Sequence, residues 1–412
     1  MAKQVQMTFW NYNSFKDYKP HMLRDWIELG INLPLLPKFN MEKDSKEDLI
    51  AILDDAQSLG VQVLLQFDSM FVDSIRDFDA YRVEVQKICD TFGSHPAVYG
   101  YYVGEEPNVG SQEAYFECTK IIKEISPNAA IYTNFGSIER TERMMLQGNQ
   151  KLEDWIEKFH DYSGNDIVGY GCYSGLFRDN SGSFEHFYNL NTFVEASKKH
   201  GVDVWATMLS SAHDFYRVPT EDDYRWQINT CVACGCRGIV WFRLYDKLVA
   251  ADYRGSPIDE FGVKTQHFYD MARAQKKFNI HYGKLFGRLN HVSTHGIGVS
   301  YGGYPYFVPS TTDEAGAVTD LISHADCRAG LISFFKDEDG TDYIAVVNTD
   351  TVNSYHMTLT YSAKVERADM VYYDEKQLNC HVNRNGQEGD LRGQSFCLAP
   401  GQMEVIKVIR RK

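Results

Sequence analysis

Two adjacent glutamates stand at the end of an apolar segment in the first third of the chain. The segment YGYYVGEEPN alternates aromatic and small residues like a buried strand and then reaches Glu105, Glu106 and Pro107. Removing a carboxylate from water is costly, and adjacent like charges repel, so at least one of the two is expected to do chemistry. An apolar strand end raises the pKa of a carboxyl group, which suits a general acid.

A structural explanation is also open for these glutamates. Pro107 suits the first turn of a helix, where the helix dipole stabilises an acidic side chain. Either carboxylate could therefore serve only to cap the helix that follows, and this explanation fits Glu105 better than Glu106.

The elements that must position these groups recur along the chain. Apolar runs start 25 to 37 residues apart, and helical patterns lie between them. Several of these patterns begin at an N-cap residue, such as Ser111 or Thr220, or end at a glycine, such as Gly60 or Gly201. The eight runs are VQMTFWNY, GINLPLLP, VQVLLQFD, VYGYYVGEE, AAIYTNF, DIVGYGCY, VDVWATML and GIVWFRLYD. Eight β-then-α units predict a TIM (β/α)8 barrel, and the count of eight disfavours an open doubly wound sheet.

The pattern changes after the last helix, which is predicted from Lys264 to about Gly283. From Leu289 onward the runs are of β type, with a hairpin around Asp339 and Gly340. We therefore expect a (β/α)8 barrel over residues 1–288 as the catalytic unit, and an all-β sandwich over residues 289–412 that packs against it.

Strand parity predicts which side chains face the barrel lumen. Active sites of TIM barrels lie at the C-terminal ends of the strands, and successive strand residues point to opposite sides. On the fourth run this rule favours Glu106 over Glu105 as the lumen carboxylate. The other side chains predicted in the lumen or at its mouth are Trp10, Gln62, Gln66, Asp68, Asn134, Trp205, Trp241 and Arg243.

Carboxylates among aromatic walls are typical of glycoside hydrolysis. Indole and phenol rings stack on sugar C–H faces, while amide and acid groups bind hydroxyls. Glu106 is predicted as the general acid. The predicted substrate-binding residues are Trp10, Glu105, Asn134, Tyr170, Tyr173, Trp205, Trp241 and Arg243.

The whole chain resembles the clan A glycoside hydrolases, which are TIM barrels with an appended β-sandwich. The resemblance rests on GYYVGEEPN at the fourth strand, RVPTEDDYRWQINTCVACGCRGIVWF across the seventh helix and eighth strand, and SPIDEFGVKTQHFYD before the last helix. It implies that Glu106 is the acid/base residue and that Glu105 replaces the asparagine that often precedes it.

The chain departs from that family at the nucleophile. The resemblance implies a glutamate at the end of the seventh strand, but VWATMLSSAHD contains none. Asp68, Asp214 and Asp246 are the candidate second carboxylates, each of which could instead be a solvated or turn-forming residue. A barrel that binds carbohydrate without cleaving it is therefore the alternative function.

Composition limits the other function classes. The net charge of −14 argues against nucleic acids and anionic membranes as partners. No signal-like or membrane-spanning segment is visible, and the nine cysteines form a poor disulfide framework, so a cytoplasmic protein is expected. CVACGC lacks a second ligand pair, so no metal or other cofactor is predicted. The sequence does not indicate an oligomeric state.

Overall fold

A computed structural model describes residues 4–72, 75–146, 150–179, 181–247, 253–309, 320–372, 376–379 and 393–412. The first part of the chain forms a curved sheet of seven parallel strands in the order β1-β7-β6-β5-β4-β3-β2. Its strands are β1 (Gln6–Phe9), β2 (Val63–Leu65), β3 (Val98–Glu105), β4 (Ala130–Phe135), β5 (Ile167–Gly171), β6 (Asp203–Leu209) and β7 (Gly238–Phe242).

The predicted second strand closes the barrel without forming a regular ladder. Between β1 and β2, the Leu33 N–H donates to the Met7 carbonyl at 3.1 Å, and the Leu64 N–H donates to the Pro34 carbonyl at 2.9 Å. Pro34 and Pro37 have no N–H to donate, so this segment makes isolated bridges. The eight-unit barrel predicted from the sequence is confirmed, with one position occupied by an irregular segment.

Helices surround the sheet and follow the predicted spacing. Thr220 caps its helix by accepting from the Asp223 N–H, as predicted, whereas the Ser111 side chain makes no such bond and instead contacts Asn108. The helices are α1 (Pro20–Leu29), α2 (Lys46–Ser58), α3 (Phe78–Ile88), α4 (Gln112–Ile125), α5 (Ile138–Met144), α6 (Leu152–Ser163), α7 (Ser183–Lys198), α8 (Glu221–Ala233), α9 (Gln266–Phe278) and α10 (Lys284–Arg288). Within the described ranges, none of these helices is both long and apolar enough to cross a membrane.

The remaining strands form two antiparallel sheets that face each other. A six-stranded sheet has the order β14-β13-β16-β11-β10-β8, and a three-stranded sheet has the order β15-β12-β9. Both sheets contribute to one apolar core, as expected of a β-sandwich. The strands are β8 (Asn290–Ile297), β9 (Ile322–Asp326), β10 (Gly330–Lys336), β11 (Asp342–Asn348), β12 (Tyr355–Tyr361), β13 (Val365–Tyr372), β14 (Lys376–Asn379), β15 (Gly393–Leu398) and β16 (Met403–Arg410).

Helix α8 joins the barrel to the sandwich. The indole N–H of Trp226 donates to the Thr349 carbonyl at 2.9 Å, and the Asn229 amide donates to the Gly401 carbonyl at 2.8 Å. Trp226 and Asn229 are buried, so these bonds satisfy polar groups that lie away from water. The predicted packing of the two parts against each other is present in the structure.

An aromatic stack fills the half of the barrel lumen that lies toward the N-terminal ends of the strands. Trp205 stacks on Tyr132, with ring centroids 5.3 Å apart, and on Tyr99 at 6.5 Å. Gly169 and Gly238 make room for these rings, since a Cβ on either would approach a ring atom to within 2.6 Å. The aromatic stack therefore fills this part of the lumen, with a pocket of about 160 Å³ on its N-terminal side and a larger one at the C-terminal ends of the strands.

Candidate functional site

A pocket of about 390 Å³ opens at the C-terminal ends of β1, β2 and β3. Its wall combines aromatic rings with polar side chains, and among the described lining residues Glu105 is the only carboxylate. The Tyr102 hydroxyl is buried without a hydrogen-bond partner in the described part of the chain. The lining residues are Trp10, Asn11, Tyr12, Asn13, Ser14, Leu35, Lys38, Gln66, Phe71, Tyr102 and Glu105.

A bulge in β3 decides which glutamate faces this pocket. The register with β4 shifts between Tyr102 and Gly104, so that Tyr102 lies beside Tyr132 and Glu105 lies beside Asn134. A Cβ on Gly104 would point at the Tyr115 ring on the helix side. Val103 is also part of the helix-side core, so two successive residues face outward and the parity of the strand reverses.

Glu105 therefore occupies the lumen position that parity assigned to Glu106. Its negative charge adds to the effect of burial in raising the pKa values of Tyr12, Tyr102 and Tyr173, which places the carboxylate among these hydroxyls. The Tyr115 hydroxyl donates to the Glu105 backbone carbonyl at 3.0 Å and fixes the end of the strand.

Glu106 does not line this pocket, contrary to the prediction made from strand alternation. Its backbone is left-handed, with φ of 50°, and its carboxylate pairs with Arg140 on α5. Neither of these side chains lines the pocket. Successive side chains alternate between the two faces only in a regular strand. The bulge inserts one extra residue, so the alternation reverses after it and the prediction failed.

A hydrogen-bonded group forms the polar floor next to Glu105. The Asn134 amide oxygen accepts from the Tyr132 hydroxyl at 3.1 Å and from the Thr207 hydroxyl at 2.8 Å. A Cβ on Gly171 would lie 3.7 Å from both the Asn134 amide nitrogen and the Tyr173 hydroxyl. A methyl group at position 171 would therefore make ordinary van der Waals contact with both groups.

An aromatic cluster that carries one imidazole lies beside the pocket, where the centroid of the Phe242 ring is 6.0 Å from that of the lining residue Tyr12. Tyr173 stacks on Phe242, with centroids 5.5 Å apart at 18°, and His213 packs edge-on against both rings. Burial lowers the pKa of His213, with Asp214 and a backbone carbonyl opposing this effect and Arg243 adding to it. At neutral pH the imidazole is therefore neutral and can donate one hydrogen bond and accept another.

Arg243 lies at the mouth of the lumen, as predicted. Its guanidinium carbon is 5.1 Å from the centroid of the Tyr12 ring and 4.8 Å from that of Tyr253, and its Nε donates to the Tyr245 carbonyl at 2.8 Å. Only 8% of Arg243 is exposed. Burial lowers the pKa of this guanidinium.

Three predicted substrate-binding aromatics lie away from the pocket. Tyr170 faces the helices and stacks on Phe193 at 4.6 Å, and the Trp241 indole donates to Gln275 on α9 at 2.9 Å. Trp205 does face the lumen, but in the packed half. Their full burial shows that they are core residues, which sequence alone could not separate from a sugar platform.

None of the predicted second carboxylates lines the pocket. Asp68 is half exposed and accepts from Asn40 at 3.0 Å, next to the lining residue Lys38 at 3.8 Å. Asp214 lies in an exposed loop with φ of 48°, and Asp246 accepts from the Ser256 N–H at 2.9 Å. These contacts are those of loop-stabilising residues.

The hydroxyls at the nucleophile position of the barrel are also occupied by structure. Ser210 donates to the Arg243 carbonyl at 3.0 Å, and Ser211 accepts from Ser256 at 2.9 Å. Both serines are fully buried. The described residues also hold no group of three or more His, Cys, Asp or Glu side chains suited to a metal ion, and the buried thiols of Cys231, Cys234 and Cys236 belong to the core.

The sequence interpretation missed Tyr12 and Tyr253, which contact Arg243. Tyr12 shares the parity of Trp10 two residues before it, and this signal could have found it. Tyr253 lies in the long loop after β7, where alternation gives no guidance.

Comparisons with known proteins show the fold. No protein-family model matches the sequence, and the comparison with curated proteins finds no match. The structure is similar to that of a catalytic mutant of Gan42B, a GH42 beta-galactosidase from G. stearothermophilus, with a TM-score of 0.61, 9% identity and coverage of 99% of this chain and 98% of that chain. It is also similar to a family 39 glycoside hydrolase from the gut symbiont Bacteroides cellulosilyticus WH2, with a TM-score of 0.55, 9% identity and coverage of 99% and 81%.

These similarities confirm the predicted architecture, a (β/α)8 barrel followed by an all-β region, over nearly the whole chain. At 9% identity they concern the fold alone, so the function must be argued from the site.

Proposed function

We propose that this protein is a glycoside hydrolase that acts on a carbohydrate in the pocket at the C-terminal ends of the strands, with Glu105 as the group that transfers protons. One observation carries the proposal: the β3 bulge places Glu105 in an aromatic pocket between Trp10, Tyr102 and the Asn134 floor. The similarity in fold to glycoside hydrolases of families 42 and 39 supports it.

The chemistry needs a carboxyl group that can be protonated when the glycosidic bond breaks. The Glu105 carboxyl group would donate its proton to the leaving oxygen. The resulting carboxylate would then accept a proton from the water that adds to the anomeric carbon. Trp10 and Tyr173 offer faces on which a sugar ring can stack, and the Tyr102 hydroxyl and Asn134 amide can bind sugar hydroxyls.

A tyrosine is not suited to replace the missing nucleophile. Burial raises the pKa of Tyr12, and Glu105 raises it further, although Arg243 opposes the shift. Tyr12 is therefore a neutral phenol at physiological pH and acts as a hydrogen-bond donor. We therefore assign no covalent intermediate to a tyrosine. Both proton transfers are assigned to Glu105, because it is the one carboxylate among the described lining residues.

Binding without cleavage is the second candidate, and a specific observation favours it. Both common glycosidase mechanisms use a pair of carboxylates, about 5 to 5.5 Å apart for retention or about 6.5 to 9.5 Å for inversion. The described residues that line this pocket include one carboxylate and not two. A pocket of this kind could hold a sugar without hydrolysing it.

The proposal is tested by measuring the turnover of aryl glycosides and unmodified oligosaccharides. The wild type is compared with Glu105→Gln and Glu106→Gln. We expect Glu105→Gln to lower kcat/KM by about 10²- to 10⁴-fold, with the larger loss on oligosaccharides, because their leaving groups need protonation. Glu106→Gln is the matched control, since it removes the neighbouring charge outside the pocket.

Equal turnover by Glu105→Gln and the wild type would refute the assigned role. Sugar binding by all three proteins without turnover of any substrate would favour the second candidate. We also propose that residues 1–288 are the catalytic domain and residues 289–412 the sandwich domain, because α10 ends at Arg288 and β8 begins at Asn290.

A further inference from the structure

The mouth of the site holds a buried cation whose charge is not neutralised by any side chain that the structure describes. In the described part of the chain, Arg243 makes one hydrogen bond, from Nε, and no ion pair, although it is only 8% exposed. Asp246 affects its pKa but bonds to Ser256 instead. Burying a charge without an ion-pair partner is costly, so a group that supplies a negative charge here would be favoured.

The remaining donors of Arg243 have the geometry for one kind of anion. Its two terminal amino groups carry four N–H bonds, while the single Nε–H is used by the Tyr245 carbonyl. Two neighbouring amino groups of a guanidinium match the two oxygens of a carboxylate. The Tyr12 and Tyr253 rings pack next to the guanidinium and contribute to its burial.

Tyr12 links this cation to the Glu105 pocket. Tyr12 lines the Glu105 pocket, and its ring contacts Arg243. The pKa of its hydroxyl is affected by both the negative charge of Glu105 and the positive charge of Arg243. A ligand in this pocket therefore lies close to Arg243, which is not itself among the described lining residues. Lys38, the other cation of the wall, differs because it is largely exposed and already lies 3.8 Å from Asp68.

We propose that Arg243 binds a carboxylate of the sugar, so that the ligand of this site is a glycoside of a uronic acid. The inference rests on the proposed carbohydrate site, but it does not require cleavage. In a protein with a net charge of −14, a specific cation is needed to hold an anionic ligand, because the overall field repels it.

Isothermal titration of the Glu105→Gln protein tests this inference independently of turnover. The probes are methyl D-glucuronoside and methyl D-galacturonoside, with methyl D-glucoside and methyl D-galactoside as neutral controls and galactose 6-sulfate as a second anion. We expect a uronoside to bind at least about 10-fold more tightly than its neutral counterpart. Adding Arg243→Gln should weaken uronoside binding about 10- to 100-fold and change neutral sugar binding less than about threefold.

Two further variants separate a specific site from general attraction. Arg243→Lys keeps the charge but loses the paired donors, so it should recover only part of the affinity. Arg140→Gln removes an exposed arginine of the same barrel that is paired with Glu106, and it should leave uronoside binding unchanged. Circular dichroism checks whether each variant is folded. If Arg243→Gln does not fold, the difference in affinity of the Glu105→Gln protein for charged and neutral probes still tests whether the site prefers a carboxylate.

Equal binding of uronosides and neutral glycosides, or equal weakening of both by Arg243→Gln, would overturn the inference and leave Arg243 as a residue that only stabilises the loop. Tighter binding of the sulfated sugar than of either uronoside would overturn the assignment of a carboxylate. Hydrolysis of neutral glycosides that depends on Glu105 but not on Arg243 would leave the proposed function intact while this inference failed.

Discussion

Replacing Gly104 with alanine tests the bulge that directs Glu105 into the pocket. The new Cβ would lie 2.5 Å from the Tyr115 hydroxyl and 3.2 Å from a methyl group of Val72, and φ at this position is +158°. Tyr115 is fully buried and its hydroxyl is bonded to the Glu105 carbonyl, so it has little freedom to move away. The substitution therefore forces both a steric clash and an unfavourable backbone conformation.

The expected loss follows from these two contributions. Overpacking a buried site costs about 1 to 3 kcal/mol, and a backbone conformation that favours glycine adds about 1 to 3 kcal/mol. We expect Gly104→Ala to lower the free energy of unfolding by about 2 to 6 kcal/mol, measured by urea denaturation. Gly60→Ala is the matched control, because Gly60 has φ of +72° but no atom within 4 Å of the added Cβ.

A double-mutant cycle with Tyr115→Phe identifies the contact responsible. Tyr115→Phe alone should cost about 1 to 3 kcal/mol, since it removes the hydrogen bond from the buried Tyr115 hydroxyl to the Glu105 carbonyl. In the double variant, Tyr115→Phe also removes the hydroxyl oxygen that lies 2.5 Å from the Cβ added at position 104. The double variant should therefore be about 1 to 2 kcal/mol more stable than the sum of the single losses implies. Losses that add to within about 0.5 kcal/mol would refute the view that this contact holds the bulge.

Two other predictions concern residues outside the pocket. Trp241→Phe should lower the free energy of unfolding by about 1 to 3 kcal/mol, because buried Gln275 loses its donor, while sugar affinity in a titration stays unchanged; a loss of affinity without a loss of stability would contradict this. Burial raises the pKa of Glu404, although the Tyr282 hydroxyl opposes the shift. Native protein therefore retains this proton more readily than unfolded protein, and stability falls as the pH rises from the ordinary glutamate range, about 4.3, through the raised native pKa. Glu404→Gln should raise the urea midpoint relative to the wild type at about pH 7 but not at about pH 3.5, and an equal change at both values would contradict the assignment.

The sequence determined the architecture because the periodicity of apolar residues sets which elements can form. Eight apolar runs at regular spacing specified the barrel, and the change to short β-type runs after Leu289 specified the region that follows. The sequence also determined that Asn134 and Gln66 face the lumen, since β4 and the end of β2 follow simple alternation. These are properties of single elements, which local patterns describe well.

The tertiary structure decided which of these side chains form the site. The position of Glu105 depends on how β3 pairs with β4, because the extra residue at Gly104 is accommodated only through contacts with Tyr115 and the neighbouring strand. Likewise, Trp241 and Trp10 look equivalent in the sequence, but only one of them has a helix packed over it. Alternation gives the relative orientation of neighbouring residues, whereas a bulge, a helix contact or a loop crossing the mouth depends on parts of the chain far away in sequence.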